Sequence, residues 1–83
     1  MIELTTNKIA TINDLSWDVR MSKSRINYYK TLGLITPIAI IGKVQAFEKE
    51  STIKRLKKIE ELRKQKKSIE EITEIFKKKD EKQ

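Results

Sequence analysis

Residues 22–35, SKSRINYYKTLGLI, have the pattern of a short capped helix that stops abruptly. Ser22 is a favourable N-cap because its hydroxyl can accept a hydrogen bond from a backbone N–H of the first turn. Ile26 and Tyr29 follow at the spacing of one helical face. Gly33 can adopt the left-handed conformation that ends many helices. The pattern predicts a helix from Lys23 to about Leu32, with its polar positions exposed.

A shorter helix is predicted just before this segment. Thr11 is an N-cap residue, and Asp14 follows three positions later in a near capping-box arrangement. The inward face of this helix would consist of Ile12, Leu15, Ser16 and Val19. Two short helices joined by a tight turn at Met21 form a helix-turn-helix.

The residues after Gly33 predict an extended excursion. Pro37 disfavours helical geometry at the residue before it. β-Branched residues then lie on both sides of Gly42-Lys43, which is typical of a two-stranded hairpin. An isolated hairpin is marginal in water, so we expect this wing to pack on the helices over Phe47.

Residues 48–83 contain thirteen basic and nine acidic residues and neither glycine nor proline. This composition predicts two helices with charged outer faces. The third helix is expected from about Ser51 to Gln65, and its apolar stripe consists of Ile53, Leu56, Ile59 and Leu62. The fourth follows a Ser68-x-x-Glu71 capping box, and its apolar face consists of Ile69, Ile72, Ile75 and Phe76. The predicted fold is mainly α, a winged helix-turn-helix of four helices with a small β-hairpin wing.

The composition excludes several classes of function. The 83 residues (9.8 kDa) include no cysteine and no histidine, which removes disulfides, zinc fingers and imidazole bases. We therefore expect no enzymatic activity, no catalytic residues, no metal and no cofactor. The net charge of +7 indicates a polyanionic partner. The longest apolar run has four residues, so we expect no membrane segment and a cytoplasmic, nucleoid-associated protein.

A chain of this length predicts one domain, which we place at residues 11–77. Residues 1–10 would be a lead or a short strand against the hairpin, and residues 78–83 a disordered basic tail. Trp17 is expected to fill the junction between the N-terminal segment and the helices.

The order of these elements, together with a tyrosine pair and a following glycine, resembles the winged-helix DNA-binding domain of the MerR family. The resemblance extends from about Thr11 to Phe76. Its strongest part is the pattern Ile-x-Tyr-Tyr-x-x-x-Gly-Leu, formed by Ile26, Tyr28, Tyr29, Gly33 and Leu34. A second match is Ser-Ile-Glu-Glu-Ile at residues 68–72. Phage and transposon excisionases share this small design and are closer in size.

The chain departs from the family pattern in two turns and in the wing. Arg20 and Lys66 stand where the family usually has glycine, and both positions tend toward positive φ, which costs other residues about 1 kcal/mol. Asn27 replaces an arginine before the tyrosine pair. The wing has Gly42-Lys43-Val44 in place of Gly-Tyr-Arg. The family's sensors carry a long dimerisation helix and an effector region, and we expect no small-molecule effector domain here.

The polar side of the second helix is expected to enter the major groove of DNA. Arg25 can pair with guanine and Asn27 with adenine, which makes these two the expected base readers. The resemblance implies that Tyr28 points its hydroxyl at the DNA backbone while Tyr29 packs inward. The wing would reach phosphates or the minor groove. The expected DNA-binding residues are Ser22, Lys23, Ser24, Arg25, Asn27, Tyr28, Lys30, Lys43 and Gln45.

The predicted function is sequence-specific binding of double-stranded DNA, by a transcriptional regulator or an excisionase-like architectural factor. Cooperative binding to repeated sites, or a recombinase or transcription partner, would supplement the few base contacts of one winged helix. One alternative is a protein–protein interaction module on the same scaffold, whose contacts would include Glu60, Glu61, Glu70, Glu71 and Glu74. Another is RNA binding, although the five aromatic residues do not suggest a stacking platform.

Overall fold

The computed structural model describes residues 8–81, which form four helices and a three-stranded antiparallel sheet. The predicted mainly α, winged helix-turn-helix architecture is confirmed. In chain order the elements are β1 (Ile9–Ala10), α1 (Ile12–Val19), α2 (Lys23–Thr31), β2 (Ala39–Ile41), β3 (Val44–Glu48), α3 (Lys49–Lys64) and α4 (Ile69–Glu81).

The N-cap residues are those that the sequence predicted, except in α3. In α1 the Thr11 hydroxyl accepts from the Asp14 N–H at 3.2 Å, and the Asp14 carboxylate accepts from the Thr11 N–H at 3.1 Å. The same reciprocal pair joins Ser68 to Glu71 before α4. Helix α3 begins earlier than expected because Glu48 caps it, accepting from the Ser51 N–H at 2.8 Å. Hydrogen bonding by the Ser51 side chain, and after it by the Ser51 N–H, lowers the pKa of Glu48.

Three helices end at a residue in the left-handed conformation, and only one of these residues is glycine. Gly33 has φ 82°, whereas Arg20 and Lys66 have φ 56° and 67°, as the sequence predicted. After α3 the Lys66 N–H donates to the Arg63 carbonyl at 2.9 Å, and the Lys67 N–H donates to the Leu62 carbonyl at 3.1 Å. This is the Schellman arrangement, so the geometry is kept although the usual glycine is missing.

The sheet has the strand order β1-β3-β2. Ile41 is opposite Val44, which leaves Gly42 and Lys43 as a two-residue turn. On the other side of β3, Ile9 is opposite Glu48 and Ala10 opposite Phe47. Of the two possibilities for residues 1–10, the described part is therefore a short strand at Ile9–Ala10, and residues 1–7 lie outside the described residues.

All four helices and the sheet enclose one core. Phe47 is fully buried beneath the hairpin, as expected, and Met21, which we expected only to form the turn, is also buried. The buried apolar residues are Ala10, Leu15, Met21, Ile26, Tyr29, Leu34, Ile35, Ala46, Phe47, Leu56, Ile59, Leu62, Ile72 and Phe76.

Two expectations about apolar side chains are wrong. Trp17 does not fill a junction, because its side chain is 77% exposed. Leu15 is the buried residue of α1, and a residue two positions later is turned about 200° away from it. Ile75 was placed on the inward face of α4 but is partly exposed, whereas Ile72 and Phe76 are buried.

Helix α4 also continues further than expected, since residues 78–81 of the expected tail are helical, while residues 82–83 lie outside the described residues. Arg55 of α3 contacts the end of this helix. Its guanidinium donates to both Asp80 carboxylate oxygens at 2.8 and 3.3 Å and lies 4.7 Å from the centre of the Phe76 ring. It also donates to the Leu34 carbonyl at 3.1 Å. The last turn of α4 is thereby fastened to the rest of the domain.

The helix ends generate a stability prediction. Lys66→Gly should stabilise the fold by about 1 kcal/mol, because glycine adopts positive φ without the steric cost paid by lysine. Gly33→Ala should destabilise it by about the same amount for the opposite reason. Urea unfolding of both variants and the wild type measures the two differences. Equal stability of Lys66→Gly and wild type would show that the turn holds lysine without strain.

The Arg55–Asp80 contact generates a prediction about pH. Hydrogen bonding and charge from Arg55 lower the pKa of Asp80 below its ordinary value of 3.8. The pair therefore stabilises the folded state above that value and loses its effect as pH falls through the lowered pKa. Asp80→Asn should reduce the melting temperature at pH 7, and the difference from wild type should vanish in strong acid. Glu74→Gln, at an exposed position of the same helix, is the control and should change little.

Candidate nucleic-acid interface

Helix α2 has one buried side and one polar side. Ile26 and Tyr29 are fully buried against the core. Ser22 caps the helix, and its hydroxyl accepts from the Arg25 N–H at 3.1 Å. The expected DNA-facing residues Lys23, Ser24, Arg25 and Asn27 are all exposed. The helix thus presents four polar side chains and a free N-terminal turn to a ligand.

Helix α2 belongs to a long stretch of sequence whose charged residues are all basic. Residues 19–47 include five basic residues and no acidic residue, so all twelve acidic residues lie outside this segment. The segment contains α2, β2 and β3 as far as Phe47, and the last residue of β3 is Glu48. This basic segment attracts polyanions, although Glu60 of α3 lies beside α2 and pairs with Arg25.

Arg25 is positioned by an ion pair with α3. Its Nη1 lies 3.2 Å from Oε1 of Glu60, while the Arg25 side chain remains 47% exposed. The other carboxylate oxygen of Glu60 accepts from the Tyr29 hydroxyl at 2.9 Å. Arg63 donates to that hydroxyl oxygen at 3.3 Å. Glu60 is therefore held from two sides, and its carboxylate in turn orients the Arg25 guanidinium.

Tyr29 keeps its proton in this network. Burial raises the pKa of its hydroxyl, and the hydrogen bond to Glu60 raises it further. A protonated hydroxyl is the donor that the Glu60 carboxylate needs. The contact thus fastens α2 to α3 at ordinary pH.

A second contact joins α2 to the wing. Lys30 Nζ donates to Gln45 Oε1 at 2.8 Å. Both residues were expected to reach DNA, and the structure brings them together. Lys43 lies at the exposed tip of the hairpin, beside Gly42 with φ 66°. The wing is therefore joined to α2 through Gln45, in the second residue pair from the turn, and carries its charge in the turn itself.

The two tyrosines of the pair have different surroundings. Tyr29 points inward, as the resemblance implied, and Tyr28 is 46% exposed beside it, with the ring centres 5.9 Å apart. Asn27 keeps its side chain exposed, while its backbone carbonyl accepts from the Thr31 hydroxyl at 3.0 Å. Tyr28 and Asn27 thus lie on the same helix as the exposed cations.

Sequence reasoning missed the contribution of α3. Glu60 was named only as a contact of the alternative protein–protein module and Arg63 was given no role, yet both contact α2. Their partners are 31 to 35 positions away along the chain, so no local pattern could have indicated the contact. A groove between the helix-turn-helix and α3 is lined by Val19, Met21, Lys57, Glu60, Glu61 and Lys64. Its two lysines and two glutamates balance in formal charge.

Within residues 8–81, no helix combines the length and the apolar composition required to span a bilayer. The family model described as MerR HTH family regulatory protein matches residues 10–79. Comparison with curated proteins and comparison with solved structures gave no match. The family match begins in β1 and reaches into α4, so it includes the helix-turn-helix, the wing and the helices that support them. The chain therefore belongs to the MerR family of helix-turn-helix regulatory proteins, which are DNA-binding regulators.

Proposed function

We propose that this protein binds double-stranded DNA sequence-specifically, with α2 in the major groove and the wing on the adjacent backbone. The observation that carries the proposal is the exposed polar side of α2 within a 29-residue segment, 19–47, that has no acidic residue. A major groove about 12 Å wide admits an α-helix, and its base edges offer donors and acceptors to side chains of this kind.

Base reading is assigned to Arg25 and Asn27. Arginine pairs with two acceptors of guanine, and asparagine pairs with a donor and an acceptor of adenine. The surface ion pair between Arg25 and Glu60 is worth little in free energy, so the guanidinium can exchange this partner for a base. Glu60 limits the conformations of the free arginine, which reduces the entropy lost on binding.

Phosphate binding is assigned to the ends of the interface. The N-terminal turn of α2 presents unsatisfied backbone N–H groups, a favourable site for a phosphate. Lys43 at the wing tip can reach a second phosphate. The residues proposed for backbone contacts are Ser22, Lys23, Ser24, Tyr28, Lys30, Lys43 and Gln45.

In the cell, the protein would act as a transcriptional regulator or as an excisionase-like architectural factor, in the cytoplasm and close to the nucleoid. One short recognition helix contacts few base pairs. Binding to repeated sites, or together with a recombinase or a transcription protein, would supply the remaining specificity. We assign no catalytic residue, cofactor or effector domain to this function.

The second candidate function is a protein–protein interaction module. The Arg25–Glu60 ion pair favours it, because a cation that is already paired within the protein is less available to DNA. Within the described residues, however, Arg25 is the one basic residue of α2 that forms a salt bridge. Lys23 is exposed as well, although its spacing of two residues from Arg25 places it on a different side of the helix. The charge distribution therefore favours DNA.

Salt dependence tests the proposed electrostatic contacts. If about five lysine and arginine residues contact phosphates, the logarithm of the binding constant should fall with the logarithm of salt concentration at a slope of about −4 to −5. Fluorescence anisotropy with labelled duplex DNA measures the slope, and single-stranded RNA of equal length serves as competitor. A flat salt response, or stronger binding of the RNA, would contradict the proposal.

Two alanine variants test the division between base reading and phosphate binding. Arg25→Ala should cost about 1–3 kcal/mol at the preferred sequence and reduce the preference over other sequences. Lys43→Ala should weaken binding to all sequences alike and reduce the salt slope by about 1. Titrations against specific and scrambled duplexes measure both effects. The reverse pattern would show that the two roles are exchanged.

A further inference from the structure

Trp17 is the most exposed large apolar side chain in the described part of the chain, at 77% of its surface. It projects from the outer side of α1, away from the buried Leu15, and takes no part in the core. Tryptophan is enriched among the few residues that supply most of the binding energy of protein interfaces. Trp17 is therefore a candidate for a contact that a single copy of the chain does not make.

Two clefts flank the indole of Trp17. One has a volume of about 470 Å³ and is bordered by Arg20 and Met21. The other has a volume of about 250 Å³ and is bordered by Asp14 and Ile9. A projecting side chain thus lies directly beside a recess that can receive one. A surface of this kind can be complementary to itself.

The charged residues on either side of Trp17 are opposite in sign. Asp14 is three residues before Trp17, and Arg20 is three residues after it. Both residues are exposed, and within residues 8–81 neither forms a salt bridge. The exposed side of α1 therefore has an acid at its start, an arginine at its end and tryptophan between them.

We propose that two copies of the chain associate through this side of α1, in an antiparallel arrangement about a two-fold axis at Trp17. Such an axis places a residue three positions before Trp17 opposite the residue three positions after it. Asp14 of each copy would then meet Arg20 of the other, and the two ion pairs would be identical. Each indole would lie against the recess of the other copy, where the Arg20 guanidinium can stack on its face.

The charges favour a second copy over DNA as the occupant of this surface. Asp14 and Asp18 both border the cleft beside Trp17, and their carboxylates would repel phosphates. A second copy pairs the acid at position 14 instead of opposing it. Because α1 has eight residues, the contact is smaller than the roughly 1,200–2,000 Å² of a stable interface. We therefore expect a weak, reversible dimer. The inference concerns the free protein and does not rest on the proposed function.

The fluorescence of Trp17 provides the first test, since the chain has one tryptophan. As the protein concentration rises, the emission should shift to shorter wavelength. Sedimentation should show the average mass rising toward that of a dimer over the same range. The measurements belong at about 0.15 M salt, where screening limits the repulsion between two copies of net charge +7.

Trp17→Ala should raise the dimer dissociation constant about tenfold or more, because truncation of a central interface tryptophan is among the most costly changes. Tyr28→Ala is the matched control, since it removes an exposed aromatic side chain from α2 and should leave the mass profile as in the wild type. Circular dichroism checks that each variant is folded.

A charge exchange tests the antiparallel arrangement. Asp14→Lys and Arg20→Glu should each associate more weakly than the wild type, because like charges then meet. An equimolar mixture of the two variants should associate as the wild type does, since each contact again joins opposite charges. The Thr11 hydroxyl still caps α1 in Asp14→Lys. If that variant does not fold, Arg20→Glu should weaken association whereas Arg20→Lys should largely preserve it.

Three outcomes would overturn the inference. In the first, the wild type is monomeric up to a concentration of about 1 mM, the weak end of specific association. In the second, the wild type associates but the mixed charge variants do so no better than either alone, which assigns the contact to another surface. In the third, the emission of Trp17 shifts only when duplex DNA is added to the monomer, which assigns the surface to DNA.

Discussion

The side chain of Tyr29 joins the interior of the protein to its polar surface. Its ring is fully buried in the core, while its hydroxyl donates to Glu60 and accepts from Arg63, both on α3. Because Glu60 also pairs with Arg25, the residue that packs α2 on the core is linked to the side chain that we propose reads bases. Loss of the tyrosine hydroxyl would leave Glu60 held by Arg25 alone. The position of α2 and the orientation of Arg25 thus have one physical cause.

The parts of the fold that depend on local chemistry could be predicted from the sequence. The capping residues Thr11, Ser22 and Ser68, the left-handed turns and the two-residue hairpin turn are all determined within a few positions. Contacts between distant positions could not be predicted. Arg55 and Asp80 are 25 residues apart, and their ion pair lies in a part of α4 whose composition suggested disorder. Trp17 was misplaced because a large aromatic residue was expected to be buried, although its helical position faces solvent.

Part of the candidate site could also be predicted from the sequence. Ser22, Lys23, Ser24, Arg25 and Asn27 could be placed on an exposed helix face, because that face follows from the buried positions Ile26 and Tyr29. Their partners on other elements could not be foreseen. Glu60 and Arg63 belong to a helix whose charges resemble any solvated surface. The hydrogen bond between Lys30 and Gln45 depends on how the hairpin folds back over α2.

That hydrogen bond sets the distance between α2 and the hairpin. Since Lys30 and Gln45 join one element to the other, the protein rather than the DNA would set the separation between the proposed major-groove contact of α2 and the proposed contact of the wing. One inserted base pair would rotate the second contact by about 34–36° around the duplex axis, because B-DNA has about 10–10.5 base pairs per turn. Recognition would then depend on the phase between two short DNA elements as much as on the sequence of either.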